Sequence, residues 1–160
     1  MAFKDNQVIY VVDDDEALNM MICKYLKAQG FSNVKGFYTG EDLFKHAKNN
    51  ENPIIIQDFD LPGMSGLDVL KKASTELNKA YFIFLSGQSS IDVAVDSIKF
   101  GAFDYIIKDS FAKENCLNKI RNLQKIKALY KAKRGFKYGF IALMILFIIS
   151  WVLIFLFAEI

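Results

Sequence analysis

Five residues with chemically useful side chains lie at, or directly after, the ends of short apolar runs that predict buried β-strands. They provide three carboxylates, a hydroxyl and an ammonium group: Asp13, Asp14, Asp58, Ser86 and Lys108. In an open sheet of parallel strands, ligands bind outside the carboxyl ends of the strands, which share one edge. We therefore expect these five side chains to converge on a single site.

The residue types in this set predict phosphoryl transfer. Clustered carboxylates repel one another, and a divalent cation relieves that repulsion. A set of oxygen ligands suits Mg²⁺. A carboxylate can then attack phosphorus and form an acyl phosphate, while Lys108 and Ser86 stabilise charge on the oxygens of the transferring group. The sequence thus predicts Asp58 as the acceptor, and a plain loop-capping aspartate is the alternative.

The elements that must position these residues predict an α/β fold. Strands are predicted at residues 8–12, 34–38, 53–58, 80–85 and 104–107, each followed by apolar residues at helical spacing. This alternation predicts a doubly wound, five-stranded parallel sheet with helices on both faces. Thr39 is expected to cap the second helix and Gly30 to end the first. Asp15 and Glu16 are expected to be first-turn helix acids and not ligands.

With these residues in this order, the sequence resembles the receiver domain of two-component response regulators over about residues 6–123. The resemblance implies a flavodoxin-like receiver fold in which Asp58 is the phosphoacceptor. It implies that Asp13, Asp14 and Asp58 hold Mg²⁺ together with the backbone carbonyl of Asp60. It also implies a phosphoacceptor signalling domain, which is not an enzyme acting on separate substrates.

The same resemblance gives roles to three further residues. Ser86 and Lys108 would be catalytic, and Ser86 and Tyr105 would form the conformational switch. Receivers usually have a proline after this lysine, whereas Asp109 follows it here. We therefore expect the loop after the fifth strand to be set differently, with Lys108 aimed less firmly. The side chain of Asp60 would place a second acid beside the phosphoryl group, where it repels that group or tunes its lifetime.

Charge divides the chain into three parts. Residues 1–112 hold 16 acidic and 11 basic residues, whereas residues 113–137 hold nine basic residues and one acidic residue. Residues 138–158 form a run of 21 without any charge. At ~1.5 Å per residue this run spans about 31 Å, close to the ~30 Å hydrocarbon core of a bilayer. It predicts a single transmembrane helix, with the basic side and the receiver in the cytoplasm by the positive-inside rule.

The predicted organisation is therefore a receiver domain at 1–123, a basic helical linker at 124–137 and a transmembrane helix at 138–158. The Lys and Arg residues of 131–137 favour anionic lipid headgroups over nucleic acid. Gly135 and Gly139 have the small-xxx-small spacing that indicates a homodimer. Cys23 and Cys116 have no metal-ligand spacing and predict reduced thiols, and His46 is expected to face solvent.

The function expected from the sequence is that of a single-domain response regulator tethered to the inner face of the cytoplasmic membrane. A sensor histidine kinase or a phosphotransfer protein would donate the phosphoryl group, and output would be contact with a downstream protein at the membrane. The alternative is a membrane-bound scaffold or adaptor that has a receiver fold and acts without phosphorylation. A metal-dependent phosphatase is a third, weaker reading, because no general acid or substrate pocket is evident. The sequence does not identify the kinase or the downstream protein. It also leaves open whether this chain is a fragment of a longer membrane protein.

Overall fold

The structure is a computed structural model that describes residues 5–47, 50, 52–77, 79–87 and 91–158. Side chains are described for these residues except 5–6, 91–93, 137 and 151–158. The chain forms two compact units, Met1–Ile120 and Arg121–Ile160. The first unit contains all the residues of the predicted site.

Strands and helices alternate along the described part of the chain. The strands are β1 (Asp5–Val12), β2 (Phe31–Phe37), β3 (Ile54–Asp58), β4 (Tyr81–Ser86) and β5 (Asp104–Ile107). The helices are α1 (Glu16–Ala28), α2 (Gly40–Ala47), α3 (Gly66–Glu76), α4 (Ile91–Lys99) and α5 (Ala112–Ala158). The strands form one parallel sheet in the order β2-β1-β3-β4-β5. The predicted five-stranded, doubly wound sheet is therefore confirmed.

The register of the sheet brings the functional strand ends to one edge. Val12 of β1 pairs with Gln57 of β3, so Asp13 and Asp58 follow in adjacent positions. Farther along the same edge, Ser86 of β4 pairs with Ile107 of β5, directly before Lys108. The order of strands reverses between β1 and β3, which is the switch point where open α/β sheets form their binding crevice.

The central strand explains why its sequence is a continuous apolar run. All five residues of β3 are buried, and Ile54, Ile55 and Ile56 have no exposed surface. Helices cover both faces of a doubly wound sheet, so alternation of apolar and polar residues is not required. On one face Ile55 packs in a core cluster with Leu43 of α2 and Val69 of α3. Rigid packing below the sheet edge holds the strand ends in place.

Strand boundaries agree with the sequence to within one residue except at the starts of β1 and β2. β1 begins at Asp5, three residues before the predicted start at residue 8. β2 begins at Phe31, three residues before the predicted start at residue 34. Ser32 and Asn33 are weak strand formers, but Phe31 is buried and Asn33 pairs with Val8 of β1. Pairing with a neighbouring strand therefore overrides local propensity here.

The predicted helix ends are confirmed. Thr39 Oγ1 accepts a hydrogen bond from Asp42 N at 3.1 Å and caps α2. Asp15, expected from the sequence in the first turn of α1, lies one residue before it as the N-cap and accepts from Ala17 N at 2.9 Å. Gly30 follows the C-terminal end of α1 with φ +100°, a left-handed conformation that glycine adopts without strain.

The first turns of α5 belong to the first unit. Cys116, Leu117 and Ile120 are buried there. Lys119 Nζ lies 2.7 Å from Asp104 Oδ2 and joins α5 to β5. Cys23 and Cys116 are both buried free thiols, as predicted.

In the second unit, α5 continues as a helix to Ala158. The side chains described between residues 138 and 150 are exposed. Among the helices of the described part of the chain, none combines the length and the apolar character needed to cross a membrane. The predicted transmembrane segment 138–158 extends over residues 151–158, whose side chains lie outside the described set.

Candidate functional site

Three carboxylates meet at the carboxyl ends of β1 and β3. Asp13 and Asp58 are buried, with 0% and 4% of their surfaces exposed, and Asp14 is exposed. Each offers an oxygen atom, and these atoms all lie within 4.8 Å of one another. The structure therefore brings together the three carboxylates that the sequence predicts to converge.

Lys108 supplies the positive charge of this cluster. Its Nζ lies 2.7 Å from Asp58 Oδ2 and 2.9 Å from Asp13 Oδ2. The contact with Asp58 is also a hydrogen bond, whereas Asp13 Oδ2 is a buried atom with an ion-pair contact but no hydrogen bond of suitable geometry. One ammonium group thus serves two buried carboxylates, and Asp109 in place of the usual proline does not prevent it.

The pKa values of Asp13 and Lys108 reflect the opposing effects of burial and of neighbouring charges. Burial raises the pKa of Asp13 above its ordinary value, and the ammonium of Lys108 only partly offsets this effect. Burial acts to lower the pKa of Lys108, but its contacts with Asp58 and Asp13 outweigh burial, so that this pKa lies above its ordinary value. The site therefore holds a permanent cation and an excess of carboxylate, which favours binding of a further cation.

Backbone amides fix the second oxygen of each buried carboxylate. Asp58 Oδ1 accepts from Asp60 N at 3.1 Å, and Asp13 Oδ1 accepts from Asp15 N at 3.0 Å. Both are local bonds to an amide two residues farther on, a geometry typical of aspartate in turns. Because Oδ1 is held in each case, Oδ2 is oriented toward Lys108. The hydrogen bond from the Asp60 amide also places Asp60, whose carbonyl is the predicted metal ligand, next to the acceptor Asp58.

Ser86 and Tyr105 occupy different parts of the site. Ser86 is fully buried, and its carbonyl oxygen accepts from Lys108 N at 2.8 Å. Tyr105 is half-buried, packs against the core cluster and lines a cleft of about 500 Å³ between α4 and β5. Ser86 is therefore adjacent to Lys108 through the backbone, and Tyr105 connects β5 to the α4 side of the unit.

Asn19 supports the backbone at Asp13, and the sequence analysis did not identify it as part of the site. This buried residue of α1 donates from Nδ2 to Phe37 O at 2.7 Å and to Asp13 O at 3.2 Å. It thereby joins α1 to the ends of β1 and β2. A signal was present in the sequence, because Asn19 falls on the apolar stripe of α1 three and seven residues before the buried Ile22 and Leu26.

Gln57 is a second residue that the sequence reasoning passed over. It is buried directly before the acceptor, and its Nε2 donates to Asp58 O at 3.2 Å. Its Oε1 has no hydrogen-bond partner within the described residues. A polar residue inside an otherwise apolar strand was the available signal.

The cluster fits a hard divalent cation. Its ligand atoms are carboxylate oxygens, which suit Mg²⁺. The buried Asp13 Oδ2 accepts no hydrogen bond, and a contact with a metal ion would satisfy this oxygen instead. Asp15 is not part of this set, because its carboxylate caps α1. His46 is exposed and its Nδ1 bonds to Asp42 O, away from the cluster.

Comparison with known proteins identifies the family. The model of the response regulator receiver domain matches residues 9–121. The chain therefore belongs to the response regulator receiver domain family. Receiver domains are phosphoacceptor signalling domains of two-component systems and not classical enzymes, as the sequence predicted. They bind Mg²⁺ at an acidic pocket such as the one formed here.

Among curated proteins, the chain is 34% identical over 119 residues to response regulator protein TmoT of Ectopseudomonas mendocina, covering 74% of this chain and 53% of that protein. It thus spans about half the length of the curated relatives it matches. A CheY-like receiver domain from Methanospirillum hungatei superposes with a TM-score of 0.70 at 25% identity, covering 79% of this chain and 99% of the other.

A third similar protein is a response regulator from Burkholderia pseudomallei, solved with a phosphorylated aspartic acid, a calcium ion and citrate. It has a TM-score of 0.64 at 25% identity and covers 78% of this chain and 75% of the other.

Proposed function

We propose that this chain is a membrane-tethered response regulator that accepts a phosphoryl group on Asp58. The observation that carries the proposal is the position of Lys108 Nζ, 2.7 Å from Asp58 Oδ2 and 2.9 Å from Asp13 Oδ2. This arrangement presents a buried carboxylate next to a fixed positive charge. The phosphorylated aspartic acid of the Burkholderia pseudomallei protein supports the same chemistry here. A sensor histidine kinase or a phosphotransfer protein is the proposed donor.

In the proposed reaction, a carboxylate oxygen of Asp58 forms a bond to phosphorus. The bond from phosphorus to the donor's leaving atom breaks, and the leaving group departs with the electron pair. Asp13, Asp14 and Asp58 would hold Mg²⁺, and the backbone carbonyl of Asp60 would be a further ligand. When bound, Mg²⁺ neutralises the carboxylates and the oxygens of the transferring group.

Lys108 acts in this reaction as a fixed cation. Its ammonium stabilises negative charge on the phosphoryl oxygens, and its raised pKa keeps it protonated at neutral pH. The Asp58 oxygen that it contacts is the one left free by the amide of Asp60. Phosphorylation at this oxygen displaces the ammonium from the carboxylate toward the phosphoryl group.

Ser86 and Tyr105 are the proposed switch. Ser86 is buried at the end of β4 and would donate its hydroxyl to the new phosphoryl group. Tyr105 lines the cleft beside α4, where Val95 and Ile98 are exposed. A movement of the β4–α4 segment toward the phosphoryl group would change this cleft. We propose that output is a contact of this surface with a downstream protein at the membrane.

Membrane attachment rests on the sequence of residues 138–158, which carries no charge and continues as helix to Ala158. The basic residues of 131–137 would contact anionic lipid headgroups on the cytoplasmic side. The first unit would then face the cytoplasm, and the chain would cross the inner membrane once. The spacing of Gly135 and Gly139 supports a homodimer within the bilayer.

The experiment that tests this function separates it from a scaffold that acts without phosphorylation. The full chain in detergent is titrated with Mg²⁺ and beryllium fluoride, a mimic of the phosphoryl group, and amide NMR signals of β4, β5 and α4 are followed. A response regulator shifts the signals of Ser86 and Tyr105, and the shift is absent in Asp58→Ala. A scaffold binds neither ligand, or binds both without a change at Tyr105.

A further inference from the structure

The turn after β5 is organised by Asp109. Asp109 Oδ1 accepts from Phe111 N at 2.8 Å. The carbonyl oxygen of the same residue accepts from Ala112 N at 3.1 Å, and its amide donates to Ile107 O at 3.0 Å. Asp109 is thus the first residue of a β-turn that leads into α5, a position at which aspartate is favoured.

This turn differs chemically from one that contains proline. A proline at position 109 has no N–H and cannot make the bond to Ile107 O. It also has no side-chain acceptor for the N–H of Phe111, the residue directly before α5. Asp109 therefore restrains the loop through hydrogen bonds, where a proline would restrain it through its ring.

The restraint acts on Lys108 because the two residues are adjacent. On one side, Lys108 N is bonded to Ser86 O at 2.8 Å. On the other side, the turn of Asp109 fixes the direction of the chain. Between these two restraints the side chain of Lys108 reaches both Asp58 and Asp13. A small displacement of the Lys108 backbone would therefore lengthen the contacts of its ammonium group with Asp58 and Asp13.

We propose that Asp109 is a positioning residue for Lys108, and that its carboxylate oxygen acts as a turn acceptor and not as a charge. The inference rests on the proposed function, since the aim of Lys108 matters only where phosphoryl transfer to Asp58 occurs. Asp109 is exposed at the surface, where a charge is well screened by water. The bond to Phe111 N is the feature that another side chain must reproduce.

Three substitutions separate the turn from the charge. Asp109→Asn keeps an oxygen that can accept from Phe111 N and removes the charge. Asp109→Glu keeps the charge but moves the carboxylate one methylene away from the turn. Asp109→Ala removes both. Thr39→Ala is the matched control, because Thr39 Oγ1 also accepts a backbone N–H at a helix start. Thr39 follows β2, which lies at the opposite side of the sheet from β5.

Two quantities are measured on the full chain in detergent. The first is the rate of phosphorylation by acetyl phosphate at saturating Mg²⁺. The second is the rate of hydrogen exchange at the Phe111 and Lys108 amides in the absence of Mg²⁺. We expect Asp109→Glu and Asp109→Ala to lose roughly tenfold in rate, as for a misplaced catalytic group. Exchange at both amides should accelerate in the same two variants. Asp109→Asn should stay within about threefold of the original rate, since an exposed charge that is screened by water contributes little. Thr39→Ala should change neither quantity.

A second series in the Lys108→Ala background tests whether Asp109 acts through Lys108. If it does, adding Asp109→Ala there lowers the residual rate by less than about twofold, because the two effects are coupled and not additive. A full additional loss in that background overturns the proposal. Equal rates for Asp109→Asn and Asp109→Ala also overturn it, because the turn acceptor would then be irrelevant. If the original chain is not phosphorylated at Asp58, the proposed function fails first, and this inference fails with it.

Discussion

Lys108 Nζ lies 2.7 Å from Asp58 Oδ2, although 50 residues separate the two in the chain. Each residue reaches this position from the end of its own strand, Asp58 from β3 and Lys108 from β5. β4 lies between these two strands, so no local turn brings Lys108 and Asp58 together. The contact is a product of the sheet topology, and it makes the site sensitive to the loop that follows β5.

Removal of Lys108 should destabilise the folded state and make its stability depend on Mg²⁺. In Lys108→Ala two buried carboxylates lose their cation, which should cost about 2 kcal/mol after allowance for the partial exposure of the lysine. Added Mg²⁺ should restore part of this loss by taking the place of the ammonium. Urea denaturation of the full chain in detergent, with and without Mg²⁺, provides the measurement.

Lys99→Ala is the control for that experiment. Lys99 forms an exposed pair with Asp96 at 3.2 Å, and such pairs contribute little to stability. If Lys108→Ala and Lys99→Ala unfold at the same urea concentration in the absence of Mg²⁺, the buried cluster does not have the electrostatic role assigned here.

Asp13→Asn should stabilise the protein in the absence of Mg²⁺ and abolish its response to Mg²⁺. The substitution removes the carboxylate whose pKa burial raises and leaves the Lys108–Asp58 pair neutral as a whole. At pH 7 the gain should be about 1 kcal/mol, of the size seen when a buried charge without full compensation is replaced. Thermal unfolding in the presence of a chelator measures the gain.

The pH dependence of this gain has a definite sign. Since the pKa of Asp13 is raised on folding, the folded state keeps a proton that the unfolded chain has lost above a pH of about 3.9. Stability therefore falls as the pH rises from there through the raised pKa. The advantage of Asp13→Asn should be present at neutral pH and disappear below about pH 4. An advantage that grows toward acidic pH would contradict the cause given for the raised pKa.

Asn19→Ala should weaken Mg²⁺ binding although Asn19 contacts no predicted ligand oxygen of a carboxylate. Its amide holds the carbonyl oxygens of Asp13 and Phe37, and these would lose a donor in a buried place. Stability should fall by about 2 kcal/mol. Loss of an outer support of a metal site typically lowers affinity by about tenfold or more. Isothermal titration with Mg²⁺, at a temperature where the variant stays folded, tests the second effect.

Asn118→Ala on the exposed surface of α5 is the control for this experiment. It should leave Mg²⁺ affinity unchanged and should not lower stability, since alanine is a better helix former than asparagine. An Asn19→Ala variant that loses stability but binds Mg²⁺ as tightly as the original chain would restrict Asn19 to a structural role.

The proposed membrane anchor predicts that deletion of residues 136–160 releases the protein from the membrane. The deletion removes the uncharged run of 138–158 and leaves the first unit complete. Fractionation of cells after an alkaline wash should recover the full chain with the membranes and the shortened chain in the supernatant. A shortened chain that stays with the membranes after the wash, or a full chain that leaves them, would refute the proposed anchor.

Much of the fold follows from a few local patterns. The runs of β-branched residues around Ile55 and Val11 specify buried strands, and the helices that connect them let the strands run parallel, with their carboxyl ends at one edge. For this reason the convergence of Asp13, Asp14, Asp58 and Lys108 could be predicted without distances. The polar residue types then limited the chemistry to cation binding and phosphoryl transfer.

Other features depend on partners that lie far away in the chain. The start of β2 at Phe31 is set by pairing with β1, and Asn19 is explained by carbonyl oxygens at the ends of two strands. A single lysine shared by two carboxylates could not be foreseen from spacing alone. The absence of proline after Lys108 predicted a different loop, but the hydrogen bonds of Asp109 that organise it became evident only in the structure.

The measurement that tests the central claim most directly is the intact mass of the full chain after incubation with acetyl phosphate and Mg²⁺. We expect the addition of one phosphoryl group to the original chain and none to Asp58→Ala. Peptide mapping should place the group on Asp58, and omission of Mg²⁺ should prevent its addition. An original chain that stays unlabelled with its fold intact, or an Asp58→Ala variant that is labelled as fully as the original, would contradict the assignment of Asp58 as the phosphoacceptor.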